Sequence, residues 1–274
     1  MRSLPLFLTL TFCSSLFILL SSCKPVTEQP ISPNATTSTL PTTPTEPCTL
    51  KVGFDAWEPY HYLAPGQQAT GLDIDILQAL ATELGCELTL QQDTWSVLLS
   101  KLQQGEIDLL PGASRSQERE NYSWFSDPYR QEQFVLYTRG DATLDFTDLA
   151  SLLAAGHKVG LVNDYYYGAD IDALYDSNPQ GFVNAQIAEL NLARLLDEEI
   201  SAVLEDNYVA TAILRRKGLD RTIKALPITL APSDVHLMLS KASVNEAKLA
   251  EVNSAIERLK QNGTLQKLLQ PYQQ

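Results

Sequence analysis

Four groups of polar and aromatic residues stand directly after short apolar runs of strand character: Asp55 with Trp57, the turn Pro111-Gly112-Ala113-Ser114 with Arg119, the stretch Asn163 to Tyr166, and Glu205-Asp206. Trp95 opens a helical segment and can face the same crevice. In open parallel sheets ligands sit outside the carboxyl ends of the strands, so these positions rank first as contact residues. On its own, Ser114 reads equally well as the N-cap of a helix. The three histidines, His61, His157 and His236, fall in no nucleophile or metal-ligand motif. No catalytic residue, metal site or cofactor is therefore expected.

The elements that would position these groups alternate. After the run Thr49 to Phe54, the segment Gly71 to Gly85 places Leu72, Ile76, Leu80 and Leu84 at helical spacing, with Gly85 as a stop. A second helix is expected from Thr94 to Gln104, burying Leu98, Leu99 and Leu102 and ending at Gly105, followed by a strand over Ile107–Leu110. The pattern returns as strand 158–162, helix 189–196, strand 201–204, helix 208–216 and strand 223–226, and the tail from Asn245 to Leu269 is helical with a break at Gly263. Alternation of this kind implies α/β architecture with parallel sheets covered by helices.

The N-terminus reads as an export signal, with Arg2 before an apolar stretch from Leu6 to Leu20. Leu20-Ser21-Ser22-Cys23 resembles the lipobox of bacterial lipoproteins, which implies a signal peptide over 1–22 and acylation of Cys23. Residues 23–47, rich in Pro, Thr and Ser, lack the apolar side chains needed to fold and read as a tether. The net charge of −13 argues against a nucleic-acid partner. Cys13 leaves with the signal and Cys23 takes lipid, so Cys48 and Cys86 remain in an oxidising compartment. Each precedes a strand, and neighbouring parallel strands start ~5 Å apart, within disulfide reach. A structural Cys48–Cys86 bridge is expected; a metal or redox site would need paired Cys/His spacing that is missing.

Five blocks in order carry a resemblance. Gly53 to Tyr60, Gly71 to Ile76, Leu102 to Asp108, Ala113 to Arg119 and Phe125 to Tyr129 resemble the successive blocks of the family 3 extracellular solute-binding proteins, over roughly residues 48–273. The resemblance implies a two-lobed type II periplasmic-binding-protein fold, each lobe a mostly parallel sheet flanked by helices, joined by two crossover strands. Lobe 1 would comprise 48–130 and 231–274 and lobe 2 131–230, with hinges near Tyr129–Gln133 and Ala231–His236. It implies that Arg119 grips a ligand carboxylate with Gly112, Ala113 and Ser114, and that Asp206 pairs with the ligand ammonium. Trp57 and Trp95 would flank the ligand, and the loop carrying Asn163 and Tyr165 would close over it. Asp55 is assigned either a distal cationic group or a loop-capping role. Glu205 is expected to face solvent, Trp124 and Phe125 to lie in the core, and Arg115 and Arg139 to be surface charges.

The implied function is extracytoplasmic capture of an amino-acid-like solute by a monomer tethered to the cell membrane or outer membrane, and delivery to a membrane ABC permease. One alternative is a sensory receptor for a membrane kinase or chemoreceptor. Another is a dehydratase-type enzyme on the same fold, pairing Glu205 with His157 or His236.

Overall fold

The computed structural model describes residues 48–272. The expected signal peptide 1–22, the expected lipidation at Cys23 and the expected tether 23–47 lie outside the described residues. Among the described residues no helix is long and apolar enough to cross a membrane.

The chain begins with β1 (Cys48–Phe54), the short hairpin β2 (Tyr62–Ala64) and β3 (Gln68–Thr70), then α1 (Leu72–Leu84) and β4 (Cys86–Gln92). It continues through α2 (Trp95–Gln104), β5 (Leu109–Ala113), α3 (Gln117–Glu120), β6 (Ser123–Phe125) and β7 (Arg130–Glu132). A second run comprises β8 (Phe134–Arg139), α4 (Leu149–Ala154), β9 (Val159–Val162), α5 (Ala169–Ser177), β10 (Phe182–Ala185) and α6 (Ala188–Leu196). It closes with β11 (Ala202–Asp206), α7 (Asn207–Lys217) and β12 (Ile223–Thr229). The last elements are β13 (Ser233–Ser240), α8 (Glu246–Gln261) and α9 (Thr264–Leu269).

Two larger sheets result. One has the order β4-β1-β5-β13-β6, with β7 also paired to β13; the other has the order β10-β9-β11-β8-β12. The chain passes from the first to the second between β7 and β8 and returns between β12 and β13. The strands β1, β4 and β5 run parallel, as do β9, β10 and β11. The two strands that follow the crossings, β8 and β13, run antiparallel to their neighbours, so the sheets are mixed rather than purely parallel.

Local signals account for the helices of the first sheet. In α1, Leu72, Ile76 and Leu80 are buried against the sheet and Leu84 is half-buried, and Gly85 ends the helix in the left-handed region at φ 65°. In α2, Leu98 and Leu102 are fully buried, Leu99 is half-buried, and Gly105 ends it in the same way. The following strand starts at Leu109, two residues later than its apolar run: Glu106 donates its backbone N–H back to the Lys101 carbonyl at the end of α2, and Asp108 donates to the Lys51 carbonyl of β1. It also runs on through Pro111. A proline donates nothing to a ladder, and the register with β13 shifts between His236 and Met238 beside it, so the missing donor falls at a bulge.

The bond Cys48–Cys86 is present, joining the first residues of β1 and β4, whose Cα atoms are 4.4 Å apart in direct register. It closes a loop with a sequence separation of 38. Reduction, or Cys86→Ser, is expected to lower the unfolding free energy by about 2–4 kcal/mol. Urea titration with and without reductant measures this, and an unchanged midpoint would refute a stabilising role.

Candidate functional site

The carboxyl end of β1 delivers Asp55 and Trp57 to a narrow cavity between the two sheets. Trp95 enters from the start of α2, Gly112 and Ser114 from the end of β5, Arg119 from α3 and Tyr165 from the loop after β9. His61, Glu132, Phe134 and Tyr166 complete the lining. Gly112 has φ +72°, and a Cβ there would stand 2.9 Å from the His61 ring, so the close approach of β5 to His61 needs glycine.

Arg119 is 6% exposed. Its Nη1 donates to the Ser114 carbonyl at 2.8 Å and its Nη2 to the Asp164 carbonyl at 2.6 Å, and the guanidinium lies 5.5 Å from the Trp95 ring centre. No carboxylate among the described residues forms a salt bridge with it. Burial lowers its affinity for the proton, which is the electrostatic signature of a cation held without a full counter-charge.

At the other end, Asp55 accepts from His61 Nε2 through Oδ1 at 2.9 Å and from the Tyr165 hydroxyl through Oδ2 at 2.6 Å. His61 Nδ1 lies 3.1 Å from Asp73, and Arg130 closes a two-pronged pair on Asp73 with both contacts at 2.9 Å. Burial would discharge His61, but the carboxylates on both ring nitrogens push its pKa up to about 8. The imidazole is thus a cation donating on both sides, linking the cleft through Asp73 to the strand β7. Burial opposes ionisation of Asp73 too, yet Arg130 and His61 hold it well below the usual carboxylate range.

The cleft is closed. The Tyr165 ring stands edge-on between Trp57 and Trp95, with centroids 6.0 Å from each and interplanar angles of 83° and 81°. Trp95 Nε1 donates to the Asp164 carbonyl at 3.1 Å, Ser96 Oγ donates to the Asp164 carboxylate, and Arg216 pairs with Glu58 at 2.9 Å. The loop 164–166 therefore meets the first-sheet wall at both polar poles of the cavity, the arginine end and the aspartate end.

Other expected site residues lie outside the lining. Ala113 is fully buried and Asn163 is half-buried, its backbone N–H bonded to the Ala185 carbonyl at 2.8 Å. Asp206 is fully buried and caps α7: Oδ1 accepts from the backbone of Tyr208 and Val209 at 2.9 and 3.1 Å, and Oδ2 from Gln133 at 3.4 Å. That cap, rather than an open carboxylate, is its role in this conformation. Glu205 does not face solvent; it is 1% exposed, because β11 lies inside its sheet. Its Oε1 accepts from the Asp206 backbone at 2.9 Å and from Trp57 Nε1 at 3.4 Å, and burial pushes its pKa up to about 8. Neither candidate histidine partner joins it, since His157 bonds to Ser201 Oγ and His236 to the Ser126 carbonyl.

Trp124 and Phe125 are half-buried on the edge strand β6 and pack against the hydrophobic core. Arg115 and Arg139 pair with Glu120, Asp141 and Glu198 near the surface. The cavity residues not anticipated from sequence are His61, Glu132 and Phe134, whereas Tyr166 belongs to the stretch 163–166 ranked there. Glu132 and Phe134 sit at a crossover with no periodic signal, while the nearness of His61 to Asp55 is the one available hint.

A family model described as bacterial extracellular solute-binding proteins, family 3, matches residues 50–274. The L-cystine-binding protein TcyJ of Escherichia coli (strain K12) is 26% identical over 231 residues, covering 80% of this chain and 80% of that protein. Among solved structures, an ancestral arginine-binding protein bound to arginine superposes with TM-score 0.72 at 22% identity, covering 82% of this chain and 98% of that one. A histidine kinase sensor domain with similarity to periplasmic binding proteins also reaches TM-score 0.72, at 20% identity, over 82% and 96%. These likenesses identify the architecture as that of type II periplasmic binding proteins.

Proposed function

Because the chain belongs to the bacterial extracellular solute-binding proteins of family 3, we propose that it captures an α-amino acid by closure of two lobes, 48–130 with 231–274 against 131–230, and passes it to a membrane ABC importer. The observation that carries this reading is Arg119, a buried guanidinium whose contacts are neutral backbone carbonyls, one from each wall of the cleft. A carboxylate meeting that planar fork exchanges neutral acceptors for a charged one, which strengthens both bonds. Ser114 and the backbone around Gly112 form the floor beside it, and Trp57 and Trp95 form walls against which the rest of the ligand stacks.

Asp55, 2.6 Å from the Tyr165 hydroxyl, is placed to receive the polar end of the ligand side chain once that hydroxyl moves aside. Opening and closing then exchange the loop 164–166 for ligand at the same donors, and the ligand has to bind the closed state better than the loop does. The crossings at β7–β8 and β12–β13 serve as the hinge. Acylated Cys23 and the tether would hold the body outside the cytoplasm at a membrane, near the importer. The likeness to a histidine kinase sensor domain keeps a second reading, in which the same closure is read by a membrane kinase.

The test is a thermal-shift panel of L-arginine, L-histidine, L-cystine and their neutral and acidic counterparts against the purified protein. A ligand at a hundred times its Kd stabilises by about 2.7 kcal/mol, a rise of several degrees. One or a few α-amino acids are expected to give it. A panel without any shift would overturn the amino-acid reading, and turnover of a bound compound would replace it with an enzymatic one.

A further inference from the structure

We propose that Glu132, on the crossover strand β7, is the carboxylate that receives the α-ammonium of the bound amino acid, so that the ligand's cation is recognised at the hinge itself; this rests on the amino-acid reading above. Two observations converge. Asp206, the expected acceptor, is occupied by three backbone N–H groups, two that it caps at the start of α7 and one from Gln133. Glu132 lines the cavity with Ser114 and Arg119, is 3% exposed, and forms no salt bridge among the described residues.

Its surroundings suit that role. Ser114 Oγ donates to Glu132 Oε1 at 2.5 Å and Ser233 Oγ donates to the same oxygen at 3.2 Å, which leaves Oε2 for a ligand. Ser114 is also the residue whose carbonyl holds Arg119, so one residue bridges the cation and the carboxylate. An α-amino acid carries both charged groups on one carbon, and the arginine–serine–glutamate arc sets a cation and a carboxylate on either side of the single residue Ser114. Strand β7 pairs with β13 through Glu132 and Ser233, the two strands of the crossing, so a charge placed on Glu132 acts at the pivot.

The charges that face Glu132 are Arg130 on its own strand, Asp206 at the start of α7 and Arg119 from α3. Burial pushes its pKa up to about 7, with Asp206 adding to the rise and Arg130 opposing it. An arriving ammonium favours the ionised form. Part of the Glu132 population therefore gives up its proton to the buffer when the ligand binds near neutral pH.

The experiment compares the tightest binder among L-arginine, L-histidine and L-cystine with its analogue lacking the α-amino groups: 5-guanidinopentanoate, 3-(imidazol-4-yl)propionate or 3,3′-dithiodipropionate. Calorimetry is run on wild type, Glu132→Gln and Asp206→Asn, in two buffers of different ionisation enthalpy. Glutamine keeps an oxygen for both serines, so folding is retained and melting confirms it. Wild type is expected to prefer the amino form by about 100-fold. Glu132→Gln is expected to abolish that preference, to leave the analogue's affinity unchanged and to remove the buffer dependence. An undiminished preference in Glu132→Gln overturns the proposal, and loss of preference in Asp206→Asn alone reassigns the ammonium to Asp206. If wild type binds the analogues but none of the amino forms better, this assignment fails while capture of a carboxylate stands; if it binds none of these compounds and no other α-amino acid of the panel, the amino-acid reading itself falls and this assignment with it.

Discussion

Arg119→Ala is expected to weaken binding of the cognate amino acid by about a thousandfold, near 4 kcal/mol, whereas Arg139→Ala should change it less than about twofold. The two arginines differ in environment rather than in chemistry. Arg119 is buried, faces the cavity, and spends its donors on the carbonyls of Ser114 and Asp164. Arg139 lies at the end of β8 and is paired with Asp141 and Glu198, both largely exposed. In the enclosed site a ligand carboxylate gains two charged hydrogen bonds that water does not screen, and truncation removes both while leaving the carboxylate desolvated. Arg119→Lys is expected to fall between, because an ammonium keeps the charge but loses the fork. Titration calorimetry reads all three. Equal losses for Arg119→Ala and Arg139→Ala would remove Arg119 from the site.

Asp73→Ala is the substitution expected to cost most in stability, about 3–5 kcal/mol. Asp73 is fully buried and holds two cations, Arg130 through both carboxylate oxygens and His61 through one, while Arg130 also lies 3.8 Å from the Tyr60 ring centre. Removing the carboxylate leaves the Arg130 guanidinium without its salt bridge and the imidazolium with Asp55 as its remaining partner. Urea unfolding checks the figure, and a loss under about 1 kcal/mol would mean that water replaces the carboxylate freely.

The same network sets the pH dependence. Asp73 titrates below its unfolded value, so its contribution is present above about pH 4 and is lost as the pH falls through the folded value. His61 titrates above its unfolded value, at about 8, so its contribution is complete below about pH 6.5 and is lost as the pH rises through 8. Glu132 and Glu205, raised by burial to about 7 and about 8, act in the same direction, since each must ionise at a cost as the pH rises. The melting temperature should therefore fall between pH 6 and pH 8.5. A flat profile there would mean that these groups are not buried in solution.

Much of this architecture is decided within short windows of sequence. The apolar spacing and terminal glycines of α1 and α2 act over one or two turns, so those helices, the strands beside them and the Cys48–Cys86 bridge between two strand starts are legible without a fold. Strand ends followed by polar groups likewise bring Asp55, Trp57, Ser114, Arg119 and Tyr165 forward, because in an open α/β sheet those ends share one edge. What escapes the sequence is decided by neighbours distant in the chain. The strands β8 and β13 have no helical partner to announce them, and their antiparallel direction follows from the chain crossing between sheets. Glu205 and Asp206 are adjacent acids at a strand end, and only the position of β11 between β8 and β9, with α7 beginning at once, turns one into a buried acid against Trp57 and the other into a helix cap. Glu132 carries no local mark, and His61 only its nearness to Asp55. Their charge state and place in the cleft arise from Asp73, Arg130, Ser114 and Ser233, which only the folded chain brings together, since burial and electrostatic pairing depend on distance in space rather than along the sequence.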